Sequence, residues 1–140
     1  TALVDKQDKQ KLVDTMREIA SDFNHETFAR DAEGIEKCPI LVLIGTKLSP
    51  INLRLCGLCG FKDCVECVEK SGLCIFNPGD LGIAVGSAVA IAADNRVDNR
   101  IMYTAGFAAV KLKLLGEEVK IAYGIPLSAT GKNPFFDRKT

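Results

Sequence analysis

The 140-residue sequence has no excess of either charge and no long apolar run. Lys plus Arg and Asp plus Glu each number 18, which gives a formal net charge of zero. Because there is no basic run either, we expect neither nucleic acid nor a membrane as a partner. The longest apolar stretch, 81–93, is 13 residues with two glycines and a serine, too short to span a bilayer. No signal peptide is recognisable, so the sequence predicts a cytosolic, cytoplasmic protein.

Motifs for nucleotide binding and for hydrolytic catalysis are also missing. There is no Gly-x-Gly-x-x-Gly after a strand and no Lys-Ser/Thr of a phosphate loop. The single histidine, His25, is distant in sequence from the cysteines, and we interpret it as a solvated surface side chain. No acid, base or nucleophile constellation is recognisable, so catalytic residues stay unassigned. If the protein is an enzyme, an oxidoreductase for example, its chemistry would come from a bound cofactor.

Cysteine, in contrast, is concentrated in one short stretch. Five of the six cysteines lie in the run Cys56-Gly-Leu-Cys59-Gly-Phe-Lys-Asp-Cys64, followed by Cys67 and Cys74. Thiolates are soft donors, and a two-residue gap lets neighbouring sulfurs face the same point. In a reducing cytosol such clustering indicates metal ligands rather than disulfides. Either Cys67 or Cys74 completes a set of four that begins with Cys56, Cys59 and Cys64.

A structural zinc site in a non-enzymatic interaction protein is the alternative to an iron-sulfur centre, since zinc ribbons use similar turns. The layout favours iron, because paired zinc knuckles usually stand about fifteen or more residues apart. Here Cys64 and Cys67 follow the first pair almost at once. Cys38 precedes a continuous apolar run, and we interpret it as a buried, unreactive thiol.

The remaining pattern predicts a single mixed α/β (α+β) domain over 1–140, with a cysteine-rich insertion at about 47–79. Residues 1–4 are typical of the end of a strand, and because the chain does not begin with Met we expect further residues upstream. Residues 5–20 have the three- and four-residue apolar spacing of an amphipathic helix. A second short helix follows, with Asp22 as its cap.

Two strands and a short helix are predicted beyond this. Pro39–Gly45 is a continuous apolar run, typical of a strand covered on both faces. Val119–Ile125 is predicted as a second strand that Pro126 ends. Asp63 is expected to begin a short helix that runs through Glu69 and that Gly72 ends.

Residues 77–80 are predicted as a turn, and the helix after them is apolar almost all round, so we expect it to be buried. Gly82, Gly86 and Ala90 share one face and permit close approach of another backbone, as in ordinary helix packing. Asp98 is expected to cap a further helix ending near 115. We expect Arg96 and Arg100 to pair with Asp94 or Asp98. The glycine-lined helix and the aromatic pair at 135–136 predict a homodimer.

The run CGLCGFKDC resembles the C-G-x-C-G-x-x-x-C element of small four-iron domains in corrinoid iron-sulfur proteins and in ferredoxin-like subunits of electron-transport complexes. In that element the fourth ligand follows a short helix. The resemblance implies a 4Fe-4S cluster bound by Cys56, Cys59, Cys64 and Cys74, with Cys67 as a spare or alternative ligand. Here Ile75, rather than the frequent proline, follows the last ligand.

A wider stretch is similar to a family of uncharacterised microbial proteins described as containing a ferredoxin domain. The likeness rests on Asp80–Tyr103, Tyr123–Ser128 and the run Gly131-Lys-Asn-Pro-Phe-Phe-Asp-Arg. The order of elements, with Tyr123-Gly-Ile-Pro126, also resembles the layered sheet and helices of the FMN-dependent nitroreductase fold. That second resemblance implies a flavin-dependent oxidoreductase with FMN, although nothing here corresponds to the N-terminal helix that holds the flavin in that family. Taken together, the residues and resemblances predict an electron-transfer protein with an unknown redox partner.

Overall fold

The computed structural model describes residues 2–136. Thr1 and residues 137–140, on which parts of the predicted first strand and tail fall, lie outside the described residues. The elements in chain order are β1 (Ala2–Leu3), α1 (Lys6–Asp22), α2 (Glu26–Lys37), β2 (Ile40–Lys47), α3 (Cys64–Glu69), α4 (Phe76–Asp94), β3 (Asp98–Asn99), α5 (Tyr103–Lys111) and β4 (Val119–Ser128). The strands form one antiparallel sheet in the order β1-β2-β4-β3, which confirms the mixed α+β class.

The centre of the sheet is the long pair β2 and β4. Their register runs from Ile40 opposite Leu127 to Lys47 opposite Val119, with an irregularity next to Lys47. Because side chains alternate along a strand, Leu41 and Leu43 face one side of the sheet, and Val42 between them faces the other. Both sides are covered, which confirms the prediction for β2.

The prediction that Pro126 ends β4 is wrong, since the strand continues through Pro126 to Ser128. Gly124 directs its N–H and C=O outward to Met102, and alternation puts the Pro126 nitrogen on that same outer side. The β3 strand pairs only with Leu127 and Ser128. The missing N–H of the proline therefore falls at the margin of the ladder, where its cost is small.

One face of the sheet is packed by α1, α2 and α5. The side chain of Asp5 accepts a hydrogen bond from the backbone N–H of Asp8 at 2.9 Å and caps α1. The helix begins where the apolar spacing predicts it. The predicted cap of α2 is wrong, because Asp22 is still part of α1 and α2 begins after His25 without a side-chain cap. The core on this face is formed by residues that are almost fully buried, among them Leu12, Met16, Ile35, Leu41 and Leu43.

The other face of the sheet is covered by α4 alone among the described helices. Leu81 and Val85 pack on Ile44 and Ile125. The expectation that this helix is buried is wrong, because most of its residues face outward and Ile83 is 70% exposed. By length and composition α4 is apolar enough to cross a membrane, a property shared with core helices of many soluble proteins, and 17% of its apolar window is buried. One such helix is weak evidence for a membrane span.

Two further boundaries differ from those expected. Residues 77–80 belong to the first turns of α4 rather than to a turn before it, and Pro78 fits there because the first N–H groups of a helix have no partner within it. Asp98 lies in β3, and α5 begins only at Tyr103. Its last residue is Lys111, and a series of turns then leads to Gly116, whose φ is +94°.

Candidate metal centre

The clustered cysteines lie in the connection between β2 and α4. We call residues 48–75 the cysteine segment. Its only regular element among the described residues is α3, and the rest consists of turns, bends and irregular chain. Gly60 turns the chain after the second cysteine, with a φ of +85° and a 3.0 Å hydrogen bond from its N–H to the carbonyl of Gly57. Gly60 follows Cys59 directly, and its positive φ is a backbone conformation that glycine adopts more easily than other residues.

The acidic residues of the segment stabilise the start of α3. Asp63 caps the helix by accepting a 2.9 Å hydrogen bond from the N–H of Glu66. The Glu66 carboxylate accepts hydrogen bonds from the Lys70 amine at 2.6 Å and from the N–H of Lys62 at 2.7 Å. Both contacts lower the pKa of the Glu66 carboxyl group, and the contact with Lys70 has the larger effect. Both acids are used to form the helix, which confirms its predicted start.

The end of α3 reverses the chain toward Cys74. The N–H of Gly72 donates to the carbonyl of Cys67 at 2.7 Å, and the N–H of Ser71 donates to that of Val68 at 3.0 Å. With Ser71 at a φ of 52°, this is a Schellman C-terminus. A Cβ on Gly72 would lie 2.3 Å from the ring of Phe61, so that glycine is needed for contact with the ring.

Cys67 is the most buried thiol of the segment, at 2% exposure. Burial raises its pKa, and a hydrogen bond with the thiol of Cys59 and the charges of Cys59, Cys74 and Cys64 raise it further. Cys59, Cys64 and Cys74 are the thiols whose charges act on the pKa of Cys67.

The fit to a metal follows from the donor set and its spacing. Soft thiolates are the donors that iron-sulfur clusters and zinc both accept. A single tetrahedral zinc, with Zn–S bonds of about 2.3 Å, needs its sulfurs about 3.8 Å apart. Within residues 2–136, no three Cys, His, Asp or Glu side chains form a group that could hold one metal ion. In a four-iron cluster each thiolate binds a different iron, so its sulfurs stand further apart than those of a zinc site, and thiolates are donors that either centre accepts.

Asn77 ties the start of the cysteine segment to α4. Its amide Nδ2 donates to the carbonyl of Ser49 at 2.9 Å, and its backbone N–H donates to the carbonyl of Cys74 at 3.1 Å. Its Oδ1 is buried and has no hydrogen-bond partner among the described residues. An unpaired buried acceptor costs about 1–3 kcal/mol. Asn77 is therefore a positioning residue for the segment.

The other two candidate residues lie away from the cysteine segment. Cys38 is 1% exposed, which confirms the predicted buried thiol, and its Sγ donates to the carbonyl of Ile35 at 3.1 Å. Burial is the main cause that raises the pKa of Cys38. His25 is exposed, as predicted, and stands edge-on to Phe28 with Nε2 at 3.4 Å from the hydroxyl of Tyr103.

Two residues have a place in the structure that their local sequence marks only in part, Cys67 in the segment and Asn77 in α4. Cys67 was expected to be a spare or alternative ligand, and it lies one helical turn from Cys64 and so shares a face of α3 with it, a signal visible in the sequence. Asn77 was expected in a turn, and its bond to Ser49 spans a separation that no local pattern marks. Long-range polar contacts of this kind can be predicted only once the fold is known.

The fold and the segment define a mixed α+β protein with a thiol-rich loop between a central strand and a surface helix. Residues 70–138 match the family described as "Uncharacterized protein containing a ferredoxin domain (DUF2148)", and of the clustered cysteines that stretch includes Cys74. An uncharacterized protein of Archaeoglobus fulgidus is 40% identical over 143 residues, covering 96% of this chain and 76% of the relative. The chain belongs to this family. No solved structure matches it significantly, so the nitroreductase-like layout is not confirmed.

Proposed function

We propose that the protein carries single electrons on a four-iron cluster held by the cysteine segment. Membership of a family described as containing a ferredoxin domain supports the iron-sulfur role. The observation that carries the proposal to this segment is the concentration of five of the six cysteines in one connection between β2 and α4, with Cys67 almost fully buried. Burial and the charges of neighbouring thiols disfavour a bare thiolate at Cys67, a situation that bound cations relieve.

We assign Cys59, Cys64 and Cys74 as three of the ligands, since they belong to the set implied by the CGxCGxxxC element and their charges act on Cys67. The further ligand implied by that element is Cys56, and we propose Cys67 in its place. Cys67 is buried while Cys56 is partly exposed, and a buried ligand shields a cluster from water better.

When bound, the cluster supplies one-electron redox chemistry. The chain's own part is to hold and shield it. The Schellman turn after α3 reverses the chain between Cys67 and Cys74, and Phe61 packs on Gly72 at that turn. Burial of a cluster and N–H groups directed at its sulfurs both tune its potential.

Zinc and flavin are not part of the proposal. The zinc alternative has no support from the family to which the chain belongs, which is described by a ferredoxin domain. FMN was implied only by the nitroreductase-like layout, which the comparisons do not support. The redox partner, the homodimer and the cytoplasmic location stay predictions.

Anaerobic purification tests the proposal directly. We expect a brown protein with broad visible absorption that dithionite bleaches, and with iron and acid-labile sulfide in equal amounts near four of each per chain. A colourless protein that holds stoichiometric zinc by elemental analysis would overturn it. A yellow chromophore released on denaturation would instead point to a flavin.

Single Cys→Ser variants assign the ligands. Cys59→Ser, Cys64→Ser and Cys74→Ser are expected to lose most of the bound iron and the visible spectrum. Cys38→Ser, in the opposite core, serves as the matched control and should keep both. Loss of iron in Cys67→Ser but not in Cys56→Ser would assign Cys67 as the fourth ligand, and the reverse would restore the sequence prediction. Retention of iron in all five segment variants would refute the site.

A further inference from the structure

A cleft separate from the cysteine segment lies between α2 and the C-terminal stretch 132–135. Its volume is about 520 Å³, within the range of about 300–1,000 Å³ typical of small-molecule sites. The floor is apolar, with Met102 and Phe135 from the helix-packed core. The cleft therefore opens on the face of the sheet opposite to α4, which follows the cysteine segment.

The walls of the cleft are rich in cations. From α2 come Arg30, Glu33, Gly34 and Lys37, whose spacing of three and four residues places them on one face of the helix. Arg100 and Lys132 reach the cleft from other parts of the chain, so that four cationic side chains face two carboxylates, those of Glu33 and Asp31. Lys37 forms no ion pair within residues 2–136.

One of the two carboxylates is already engaged. Asp31 is 4% exposed, and its Oδ1 accepts from Nε and Nη2 of Arg30 at 3.0 and 2.9 Å. Its Oδ2 accepts from the hydroxyl of Thr104 at 2.7 Å. Asp31 thus neutralises part of one guanidinium and holds it in place, while the remaining N–H groups of Arg30 stay available to a ligand.

Arg100 is held in a similar way. Its Nη1 donates to the carbonyl of Phe135 at 2.9 Å, and its guanidinium lies 4.9 Å from the centre of the Phe136 ring. The ion pair expected with Asp94 or Asp98 does not form among the described residues. This cation is held at the cleft by neutral groups, and no carboxylate within residues 2–136 forms an ion pair with it.

The third feature of the cleft is a glycine, Gly34, in the interior of α2. Glycine in the interior of a helix costs about 1 kcal/mol relative to alanine. A Cβ at this position would meet Met102 at 3.5 Å and Phe135 at 3.6 Å, which are ordinary contacts, so packing does not require glycine. The absence of a side chain keeps the floor of the cleft open, which is what a bound molecule needs.

From these features we infer that the cleft binds a small organic phosphate. Two guanidinium groups, each held by a neighbour, provide forked donors suited to phosphate oxygens, and Lys37 adds a point charge. The apolar floor would contact the organic part of the molecule. This site does not depend on the iron-sulfur proposal, because none of its residues lies in the cysteine segment.

Isothermal titration calorimetry of the full chain, purified anaerobically, tests the inference. The probes are phenyl phosphate, inorganic phosphate, sulfate and phenol, at fixed ionic strength so that general screening stays constant. We expect phenyl phosphate to bind more tightly than inorganic phosphate, and phenol not to bind. Absence of heat with phenyl phosphate at 10 mM probe would overturn the inference, as would equal affinity for phosphate and sulfate together with no gain from the phenyl group.

Two pairs of variants locate the binding. Lys37→Gln should weaken phenyl phosphate about tenfold, the size of one lost charged hydrogen bond. Lys6→Gln, an equal charge change at an exposed site outside the cleft, should change it less than about twofold. Gly34→Leu should abolish binding by filling the floor, while Gly34→Ala keeps the fold and much of the space. Equal effects of Lys37→Gln and Lys6→Gln would show non-specific attraction and refute the site, whether or not Gly34→Leu folds.

Discussion

The two faces of the sheet are covered by helices of similar composition but in opposite ways. On one face α5, rich in alanine and glycine, lies against the backbone of β4, and a Cβ on Gly106 would stand 1.7 Å from the carbonyl oxygen of Ala122. On the other face α4 has glycines too, and a Cβ on Gly82 or Gly86 would meet nothing within 4 Å. Small residues in a helix thus mark close contact only where another element comes to meet them.

The largest effect should come from adding a methyl group on the packed face. Gly106→Ala places that group against the backbone of Ala122, which cannot move aside without disrupting the sheet. We expect a loss of about 3 kcal/mol or more in the free energy of unfolding, or failure to fold. Urea denaturation measures it. An unfolding midpoint equal to that of the parent protein would mean that α5 does not lie this close to β4.

The contrast between the faces also shows what could be predicted from sequence. The start of α1 at Asp5, the start of α3 at Asp63 and the apolar strand β2 were predictable, because caps and periodicity act within a few residues. The exposure of α4 was not predictable, since an apolar helix has the same sequence pattern whether its own chain or another molecule covers it. The burial of Cys67 was not predictable either, because no local pattern marks which of the clustered cysteines lies inside.

The next prediction concerns what covers α4. If a second copy does so, as the predicted homodimer requires, each substitution occurs twice in a symmetric interface. Ile83, 70% exposed, contributes about 2 kcal/mol when buried. Ile83→Lys should therefore weaken the dimer at least about tenfold. Light scattering coupled to size exclusion measures it, and Phe23→Lys, at a 73% exposed site away from α4, is the matched control. A parent protein that stays monomeric at high concentration refutes the dimer.

A smaller effect of opposite sign is expected at the glycines of α4. Gly82→Ala adds a methyl group in open space and improves the helix propensity of an interior position. In dilute solution, where any dimer dissociates, the free energy of unfolding should rise by up to about 1 kcal/mol. At high concentration the same methyl group should weaken a dimer that needs close contact of the two helices. Destabilisation at dilution would show that α4 is packed more tightly than the structure indicates.

The smallest effect tests the depth of the helix-packed core through Cys38. Burial holds its pKa above the usual value in the folded protein, so the stability it contributes is complete below the unfolded thiol pKa of about 8.5 and is lost as pH rises. The free energy of unfolding of the parent should therefore decline more steeply with pH than that of Cys38→Ala, by less than about 1 kcal/mol between about pH 8 and pH 9. The cysteine segment is the same in both proteins, so its contribution cancels in the comparison. Native Cys38 should also resist alkylation at pH 8, while Cys56, more exposed, reacts. Parallel pH profiles together with rapid alkylation of Cys38 would mean that this core admits solvent, and the contrast between the two faces of the sheet would then fail.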